Sequence, residues 1–202
     1  MILNRWFFLY LSDFNIITNM VSSNKTFFIG VLGTGAFTLF SVEAFLEVDG
    51  VTLAGAYDIN ENSAGRFAEK YRCRIFNSAE ALINDADIDI IYIATPPNLH
   101  YPQSRQALLA GKHVICEKPA ALRADEVKEL IAIADGSKLL YVVNLMQRYN
   151  PLREKVKWLI DEAVFGDFLH GYFENYASDE ALEPDHWMWD EDISGGIFIE
   201  HA

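Results

Sequence analysis

The feature of the sequence that most constrains the fold is an apolar run that ends at two closely spaced glycines. Residues 27–32 read FFIGVL, and Gly33 and Gly35 follow directly. A run without polar alternation is typical of a strand that is buried on both faces, as in a parallel sheet. Glycines after such a strand allow a tight turn and a close approach of the backbone to a ligand. We therefore predict a strand, a glycine turn and a helix over 36–47.

The start of this predicted helix suits a phosphate group. Its free N–H groups and the positive end of the helix dipole would face the glycine turn, which is a geometry that binds pyrophosphate. The pattern is G-x-G-x-x-T, with Thr38 where the dinucleotide-binding fingerprint prefers glycine or alanine. By itself the pattern leaves two interpretations open, a dinucleotide site and an ordinary strand-to-helix turn.

Through about residue 143 the chain alternates between strand patterns and helix patterns. Further strands are predicted at 51–57, 74–76, 88–94, 113–116 and 139–143, and helices at 61–71, 79–83, 99–110 and in a segment that ends at Gly136. Asn60, Ser78 and Asn98 are the predicted N-caps of three of these helices. The alternation is typical of an α/β fold with a doubly wound parallel sheet.

After residue 144 the pattern changes. Asn150 and Pro151 are typical of an N-cap and the first position of a helix, which is expected to stop at Gly166. A partly alternating segment at 168–176 predicts a half-buried antiparallel strand. One helix and one strand cannot bury themselves as a domain. We therefore predict a doubly wound domain at 25–144 and the start of an α+β domain with an antiparallel sheet at 145–202.

Residues 1–24 form an extension that does not share the periodicity of the unit after it. Its apolar run, WFFLYL, is too short to span a bilayer. It also lacks the basic region and the small-residue cleavage site of a signal peptide. We expect either a mobile arm or a functional start at Met20.

Composition argues against several classes of partner. The 202 residues carry 16 basic and 29 acidic side chains, a formal net charge of −13. Nucleic acid and anionic membrane are therefore not expected as partners, because phosphate binding needs a basic footprint. Cys73 and Cys116 make neither a disulfide framework nor a zinc motif, and the histidines lack metal-ligand spacing. We expect a cytoplasmic protein with reduced thiols and no bound metal.

Asp58 directly follows the second predicted strand. A carboxylate at this position can accept hydrogen bonds from the adenosine ribose hydroxyls and repel a 2′-phosphate. No Arg or Lys stands at 59–62 to attract that phosphate. Asp58 is therefore either a turn residue at a strand end or a cofactor residue that favours NAD over NADP.

Two further polar segments follow predicted strands and should lie at the same edge of the sheet. The segment T-P-P-N at 95–98 follows the strand 88–94, and Glu117, Lys118 and Pro119 follow the strand 113–116. Open α/β sheets bind ligands at the carboxyl ends of their strands. A lysine there can hydrogen-bond a substrate hydroxyl, shuttle its proton and stabilise an alkoxide during hydride transfer. An ordinary proline turn and a solvated ion pair are the alternatives.

Taken in order, these motifs resemble the Gfo/Idh/MocA family of oxidoreductases, relatives of glucose–fructose oxidoreductase and inositol dehydrogenase. The resemblance covers residues 25–202. The segments that carry it are G-T-G-A-F-T at 33–38, Asp58, A-T-P-P-N-L-H at 94–100, A-G-K-H-V-I-C-E-K-P at 110–119, Q-R-Y-N-P at 147–151 and S-G-G-I-F-I-E-H at 194–201.

The resemblance implies a fold and a function. It implies a dinucleotide-binding Rossmann domain, followed by a domain whose open antiparallel sheet serves substrate binding and often homo-oligomerisation. It also implies hydride transfer between a nicotinamide, here NAD rather than NADP, and a hydroxyl-bearing carbon of a sugar, cyclitol or related small molecule. Lys118 matches the catalytic lysine. The implied cofactor-binding positions are Gly33, Gly35, Ala36, Phe37, Thr38, Asp58, Thr95, Pro96, Asn98, His100, Glu117 and Lys118.

The sequence departs from the family pattern at two places. Thr38 replaces the third glycine of the fingerprint. The family's next signature places an acidic residue four positions before a histidine; Glu200 takes the acidic place, and the histidine would fall at 204, beyond Ala202. We therefore expect a truncated or partial chain. A non-catalytic dinucleotide-binding protein, either a truncated copy or an NAD-sensing regulator, is the alternative function.

Overall fold

The computed structural model describes residues 25–172, 174, 182–196 and 199. At its centre lies a six-stranded sheet in which every neighbouring pair is parallel. The strands are β1 (Phe27–Leu32), β2 (Val51–Tyr57), β3 (Arg74–Ile75), β4 (Ile90–Ile93), β5 (His113–Glu117) and β6 (Tyr141–Asn144). Their order is β3-β2-β1-β4-β5-β6, so the direction of winding reverses between β1 and β4. Ligands of doubly wound sheets bind at such a reversal.

Helices cover both faces of the sheet and continue beyond it. They are α1 (Ala36–Leu46), α2 (Glu61–Tyr71), α3 (Ala79–Ile83), α4 (His100–Leu109), α5 (Ala124–Ser137), α6 (Pro151–Asp161) and α7 (Glu191–Ser194). Short 3-10 turns lie at Pro97–Leu99, Met146–Tyr149 and Trp187–Trp189. None of the helices within the described residues has the length and hydrophobicity needed to cross a membrane.

Alternate residues of the strands fill two hydrophobic cores, one on each face. On one face, Val31 and Tyr92 pack with Phe45 of α1 and Phe67 of α2. On the other face, the buried side chains of β1, β4 and β5 pack with residues of α3, α4 and α5, among them Leu82, Leu108 and Leu130. Each fully buried side chain of this size stabilises the fold by about 1.5–3 kcal/mol relative to an exposed one. The doubly wound parallel sheet predicted from the sequence is confirmed.

Three of the four predicted caps are also confirmed. The side chain of Asn60 accepts a hydrogen bond from the N–H of Ser63 at the start of α2. Ser78 caps α3 in the same way, and Asn150 caps α6, where Pro151 takes the first position. Each helix therefore begins where a side-chain oxygen satisfies one of its free N–H groups.

The other predicted helix boundaries need correction. Asn98 does not cap α4, because it lies within a 3-10 turn and α4 begins two residues later. α5 continues through Gly136 to Ser137, and its C-cap residue Lys138 adopts the left-handed conformation (φ 56°). The N–H of Leu139 then bonds to the carbonyl of Ala134, and this contact, rather than the glycine, closes the helix.

The chain after residue 144 differs most from the prediction. α6 ends at Asp161, and turns rather than helix follow to Gly166. Residues 168–172 form no strand, since no neighbouring strand pairs with them in the part of the chain that is described. Of the rest of that predicted strand only residue 174 is described, and the extension at 1–24 lies outside the described residues. α6 buries none of its side chains, and Leu152 and Val156 on its apolar side are exposed.

Candidate cofactor-binding and active site

The glycine turn packs tightly against the end of β4. Gly33 has φ +87°, and a Cβ at this position would lie 2.5 Å from the carbonyl oxygen of Ala94. Its N–H donates to the carbonyl of Tyr57 at the end of β2. Because only glycine adopts this conformation without strain and without a clash with backbone, the turn that joins β1 to α1 depends on Gly33.

Gly35 has the opposite surroundings. It occupies the N-cap position of α1 in an extended conformation, and an added Cβ would meet no atom within 4 Å. No side chain caps α1 and no acidic residue lies in its first turn, so the positive end of the helix is not neutralised there. Open space beside such a helix start fits a pyrophosphate group. The exposed Ala36 and Phe37 follow in the first turn.

Thr38 explains how this chain does without a third glycine. Its side chain is fully buried, and its Oγ1 donates a 2.8 Å hydrogen bond to the carbonyl of Gly33. The hydroxyl thus satisfies a buried backbone acceptor of the glycine turn. Thr38 holds the turn closed from inside, a role that the sequence pattern alone did not predict.

Asp58 ties the end of β2 to the glycine turn. Its carboxylate accepts hydrogen bonds from the N–H and the Oγ1 of Thr34, at 2.6 and 2.9 Å, and from the N–H of Asn60, at 2.8 Å. The Oγ of Ser63 in turn donates to the carbonyl of Thr34 at 3.2 Å. Sequence reasoning missed Thr34 and Ser63, although Thr34 stands between the two glycines. Asp58 is therefore a loop-organising residue as well as a candidate for ribose binding.

His100 joins the loops that follow β4 and β5. Its imidazole is almost fully buried, with Nε2 2.7 Å from the carbonyl oxygen of Thr95 and Nδ1 2.6 Å from that of Pro119. The hydroxyl of Thr95 donates to Gln103 on α4 at 2.7 Å. The structure thus uses the ring of His100 to hold two loops together. Pro96 and the exposed Asn98 complete the loop after β4.

Glu117 and Lys118 end β5 at the same edge of the sheet. The Glu117 carboxylate is buried, and its Oε1 accepts 2.6 Å hydrogen bonds from the Tyr92 hydroxyl and from Nδ2 of Asn144. Burial raises the pKa of the Glu117 carboxyl above its usual range, and these hydrogen bonds oppose that effect. Lys118 is half-buried and interacts electrostatically with Glu117, and its peptide bond to Pro119 is cis.

Tyr92 and Asn144 are further residues that sequence reasoning missed. Tyr92 lies in an apolar strand pattern, where a tyrosine is readily taken for a core residue. The signal that points to it is strand register: Tyr92 is paired with Ile115, two residues before Glu117, and Asn144 is paired with Glu117. Side chains two residues apart on a strand share a face.

The described part of the chain after residue 182 borders these loops. α7 contacts the 3-10 turn Pro97–Leu99, and an added Cβ at Gly195 would lie 2.9 Å from Leu122, in the segment after β5. Glu200 and His201 lie outside the described residues. Among the described residues, no three His, Cys, Asp or Glu side chains are grouped to hold a metal.

The sheet order, the glycine turn and the loops after β4 and β5 define a dinucleotide-binding Rossmann fold. The family model described as "Oxidoreductase family, NAD-binding Rossmann fold" matches residues 27–145. The chain therefore belongs to the Gfo/Idh/MocA family of oxidoreductases.

Individual relatives agree with this assignment. The chain is 33% identical to UDP-N-acetylglucosamine 3-dehydrogenase of Acidithiobacillus ferrooxidans over 122 residues, which is 60% of this chain and 38% of that protein. It is 29% identical to D-xylose 1-dehydrogenase (NADP(+)) of Hypocrea jecorina over 157 residues, 70% of this chain and 40% of that protein. Biliverdin reductase from Synechocystis sp. PCC 6803, solved with biliverdin and NADP+, superposes with a TM-score of 0.74 at 26% identity, covering 86% of this chain and 54% of that one. The chain thus spans less than half the length of either curated relative.

Proposed function

We propose that the protein is an NAD-dependent oxidoreductase that transfers a hydride between the nicotinamide and a hydroxyl-bearing carbon of a sugar, cyclitol or related small molecule. The observation that carries the proposal is the placement of Lys118 at the sheet edge that also holds the open glycine turn. The names of the relatives, which include sugar-related dehydrogenases, support the same class of reaction. When bound, the nicotinamide supplies the hydride donor or acceptor.

The cofactor-binding residues have distinct roles in this proposal. Gly35 and the start of α1 hold the pyrophosphate, because the backbone there is open and the helix end is positive. Asp58 accepts hydrogen bonds from the adenosine ribose, and its charge repels a 2′-phosphate. The loops that begin at Thr95 and Lys118, joined through His100, border the nicotinamide end.

Cofactor choice is tested by measuring NAD and NADP affinity of the 202-residue chain by titration calorimetry. We expect NAD to bind at least about tenfold more tightly, an effect of roughly 1.4 kcal/mol. Asp58→Asn keeps the shape of the side chain and removes its charge, whereas Asp58→Ser also shortens it. Both variants should lose the preference for NAD. Tighter NADP binding by the unmutated chain would overturn the assignment. A preference for NAD that persists in Asp58→Asn would show that the charge of Asp58 does not cause it.

Lys118 is the proposed catalytic residue. During oxidation its neutral amine hydrogen-bonds the substrate hydroxyl and takes up the hydroxyl proton. During reduction the ammonium so formed stabilises the alkoxide that hydride transfer produces and returns the proton to it. Turnover is sought by following NADH absorbance across a panel of sugars and cyclitols. On a substrate so identified, we expect Lys118→Ala to lower kcat by about 10²-fold or more while NAD affinity changes little. Equal turnover in the variant would remove Lys118 from the mechanism.

The remaining assignments concern the setting in which the protein works. The exposed apolar side of α6 supports a homo-oligomer in which residues 145–202 contribute to the interface. The free thiols of Cys73 and Cys116 support a cytoplasmic location. Sedimentation equilibrium tests the first assignment, since a strictly monomeric protein would contradict it. Cell fractionation tests the second.

A further inference from the structure

A buried tyrosine hydroxyl lies beside the proposed active site. Tyr92 has no exposed surface, and it reaches Glu117 from the neighbouring strand, β4. Its ring packs edge-on against Phe45 of α1, with ring centroids 5.0 Å apart and an interplanar angle of 80°. This packing fixes the ring, so the hydroxyl points steadily at the carboxylate.

The three polar side chains form a compact row on one face of the sheet. Tyr92 on β4 and Asn144 at the end of β6 both donate to the same oxygen of Glu117, which lies between them on β5. The groups that face the carboxylate are Tyr92 from β4 and Asn144 from β6, and Lys118 follows it in the chain. Cys116, the preceding residue, packs in the core on the opposite face of the sheet. A carboxylate that accepts two hydrogen bonds at one oxygen is held as an anion in one orientation.

The tyrosine is suited to be a permanent donor. Burial and the neighbouring Glu117 charge raise the pKa of the Tyr92 phenol far above its usual range, so the hydroxyl keeps its proton. A buried carboxylate without such donors would take up a proton instead, because desolvation disfavours its charge. The state of Glu117 therefore depends on side chains from two neighbouring strands.

We propose that Tyr92 is a positioning residue of the active site: together with Asn144, it holds Glu117 as a fixed anion beside Lys118. This inference rests on the proposed function, because it places the anion at the edge where the dinucleotide binds. A fixed negative charge at this edge favours the oxidised dinucleotide, whose nicotinamide ring is cationic, over the reduced one.

The first test is a titration of Glu117 in the cofactor-free chain by carboxyl carbon NMR. Glu117→Gln assigns the signal. Tyr92→Phe and Asn144→Leu each remove one donor and keep the branching of the side chain, and each should raise the titration midpoint of Glu117 by about one pH unit. Tyr71→Phe is the matched control, because the Tyr71 hydroxyl contacts the carbonyl of Leu39 and the carboxylate of Glu43 and does not touch Glu117.

The second test compares the affinities of the chain for NAD+ and NADH by calorimetry. At a pH between the wild-type and Tyr92→Phe midpoints, Tyr92→Phe should behave like Glu117→Gln and lose roughly tenfold of the preference for NAD+. At a pH above both midpoints it should behave like wild type again. A loss that did not recover with pH would indicate a merely structural role for Tyr92.

The outcomes separate this inference from the proposed function. A Glu117 midpoint that moves no more in Tyr92→Phe and Asn144→Leu than in Tyr71→Phe overturns the inference. A midpoint that moves without any change in the NAD+ to NADH ratio also overturns it, because the anion then has no role at the site. If the wild-type chain binds neither dinucleotide, the proposed function fails, and the titration alone decides whether Tyr92 holds the anion.

Discussion

Alanine substitutions at the two glycines of the turn should separate the stability of the fold from dinucleotide binding. At Gly33 the backbone has φ +87°, and the new Cβ would lie 2.5 Å from the carbonyl oxygen and 2.8 Å from the carbonyl carbon of Ala94. These are backbone atoms at the end of β4, which cannot yield without moving the strand. At Gly35 the backbone has φ −68°, and the new Cβ would meet nothing within 4 Å.

The expected free energies follow from these surroundings. For Gly33→Ala, the left-handed conformation costs about 1–2 kcal/mol and the clash about 1–3 kcal/mol, so unfolding should become easier by about 2–5 kcal/mol. That is a large part of the roughly 5–15 kcal/mol that stabilises an ordinary domain. For Gly35→Ala, a less flexible unfolded chain offsets the poorer N-cap, and stability should stay within about 1 kcal/mol of wild type.

Urea unfolding followed by circular dichroism measures the stability, and titration with NAD measures the binding. We expect Gly35→Ala to fold like wild type and to lose at least about tenfold in NAD affinity, since its methyl group fills the space assigned to the pyrophosphate. Gly136→Ala is the matched control: it lies in α5 with open space around it, and should raise stability by up to about 1 kcal/mol without affecting NAD. Unchanged NAD affinity in Gly35→Ala would refute the assignment of the pyrophosphate to the open space beside Gly35. A Gly33→Ala variant as stable as wild type would refute the close contact with β4.

Three further predictions follow from buried polar groups. Thr38→Val should lower the unfolding free energy by about 1–2 kcal/mol, because the substitution leaves the buried carbonyl of Gly33 unpaired. Thr38→Ser keeps the hydroxyl and should restore the stability. Urea unfolding of both variants is the measurement. His100→Leu should destabilise the fold by about 1–3 kcal/mol, because the buried imidazole no longer links the loop carbonyls of Thr95 and Pro119. An unchanged melting temperature would contradict this linking role. The wild type should lose stability relative to Glu117→Gln as pH rises from the usual range of a glutamate through the raised pKa of Glu117, because the folded state keeps the proton to higher pH than the unfolded state. The measurement is the unfolding free energy of both proteins from about pH 4 to pH 8. A difference between the two proteins that does not change with pH would contradict the prediction.

Local patterns predicted the sheet well because its strands carry unbroken apolar runs that end at turn residues. β1 and β2 occupy the predicted residues 27–32 and 51–57. Gly33 directly follows β1 and Asp58 directly follows β2, and strand pairing ends at these residues. The prediction failed at the end of α5, where Gly136 was expected to close the helix. The helix continues to Ser137, and the left-handed Lys138 and the hydrogen bond from the Leu139 N–H to the Ala134 carbonyl close it instead.

The chemistry of the candidate site was less accessible to sequence reasoning than its position. Topology alone brings the ends of β1, β4 and β5 to one edge, so residues that follow these strands are bound to lie near each other. Their partners, however, come from other parts of the chain. The imidazole of His100 meets the carbonyl of Pro119, and the carboxylate of Asp58 meets Thr34, and no local motif encodes either pair.

The adjacent pair Glu117 and Lys118 shows why this difference matters for function. From the sequence alone, the adjacent Glu117 and Lys118 could form a solvated ion pair, which contributes little to stability. The structure buries Glu117 and gives its carboxylate two donors from neighbouring strands, Tyr92 and Asn144. A buried anion fixed in this way interacts with nearby charges through a medium of low effective dielectric constant, where its influence exceeds that of a surface group. The charge beside Lys118 is therefore a property of three strands of the sheet, and substitutions on β4 or β6 should change the chemistry at the end of β5.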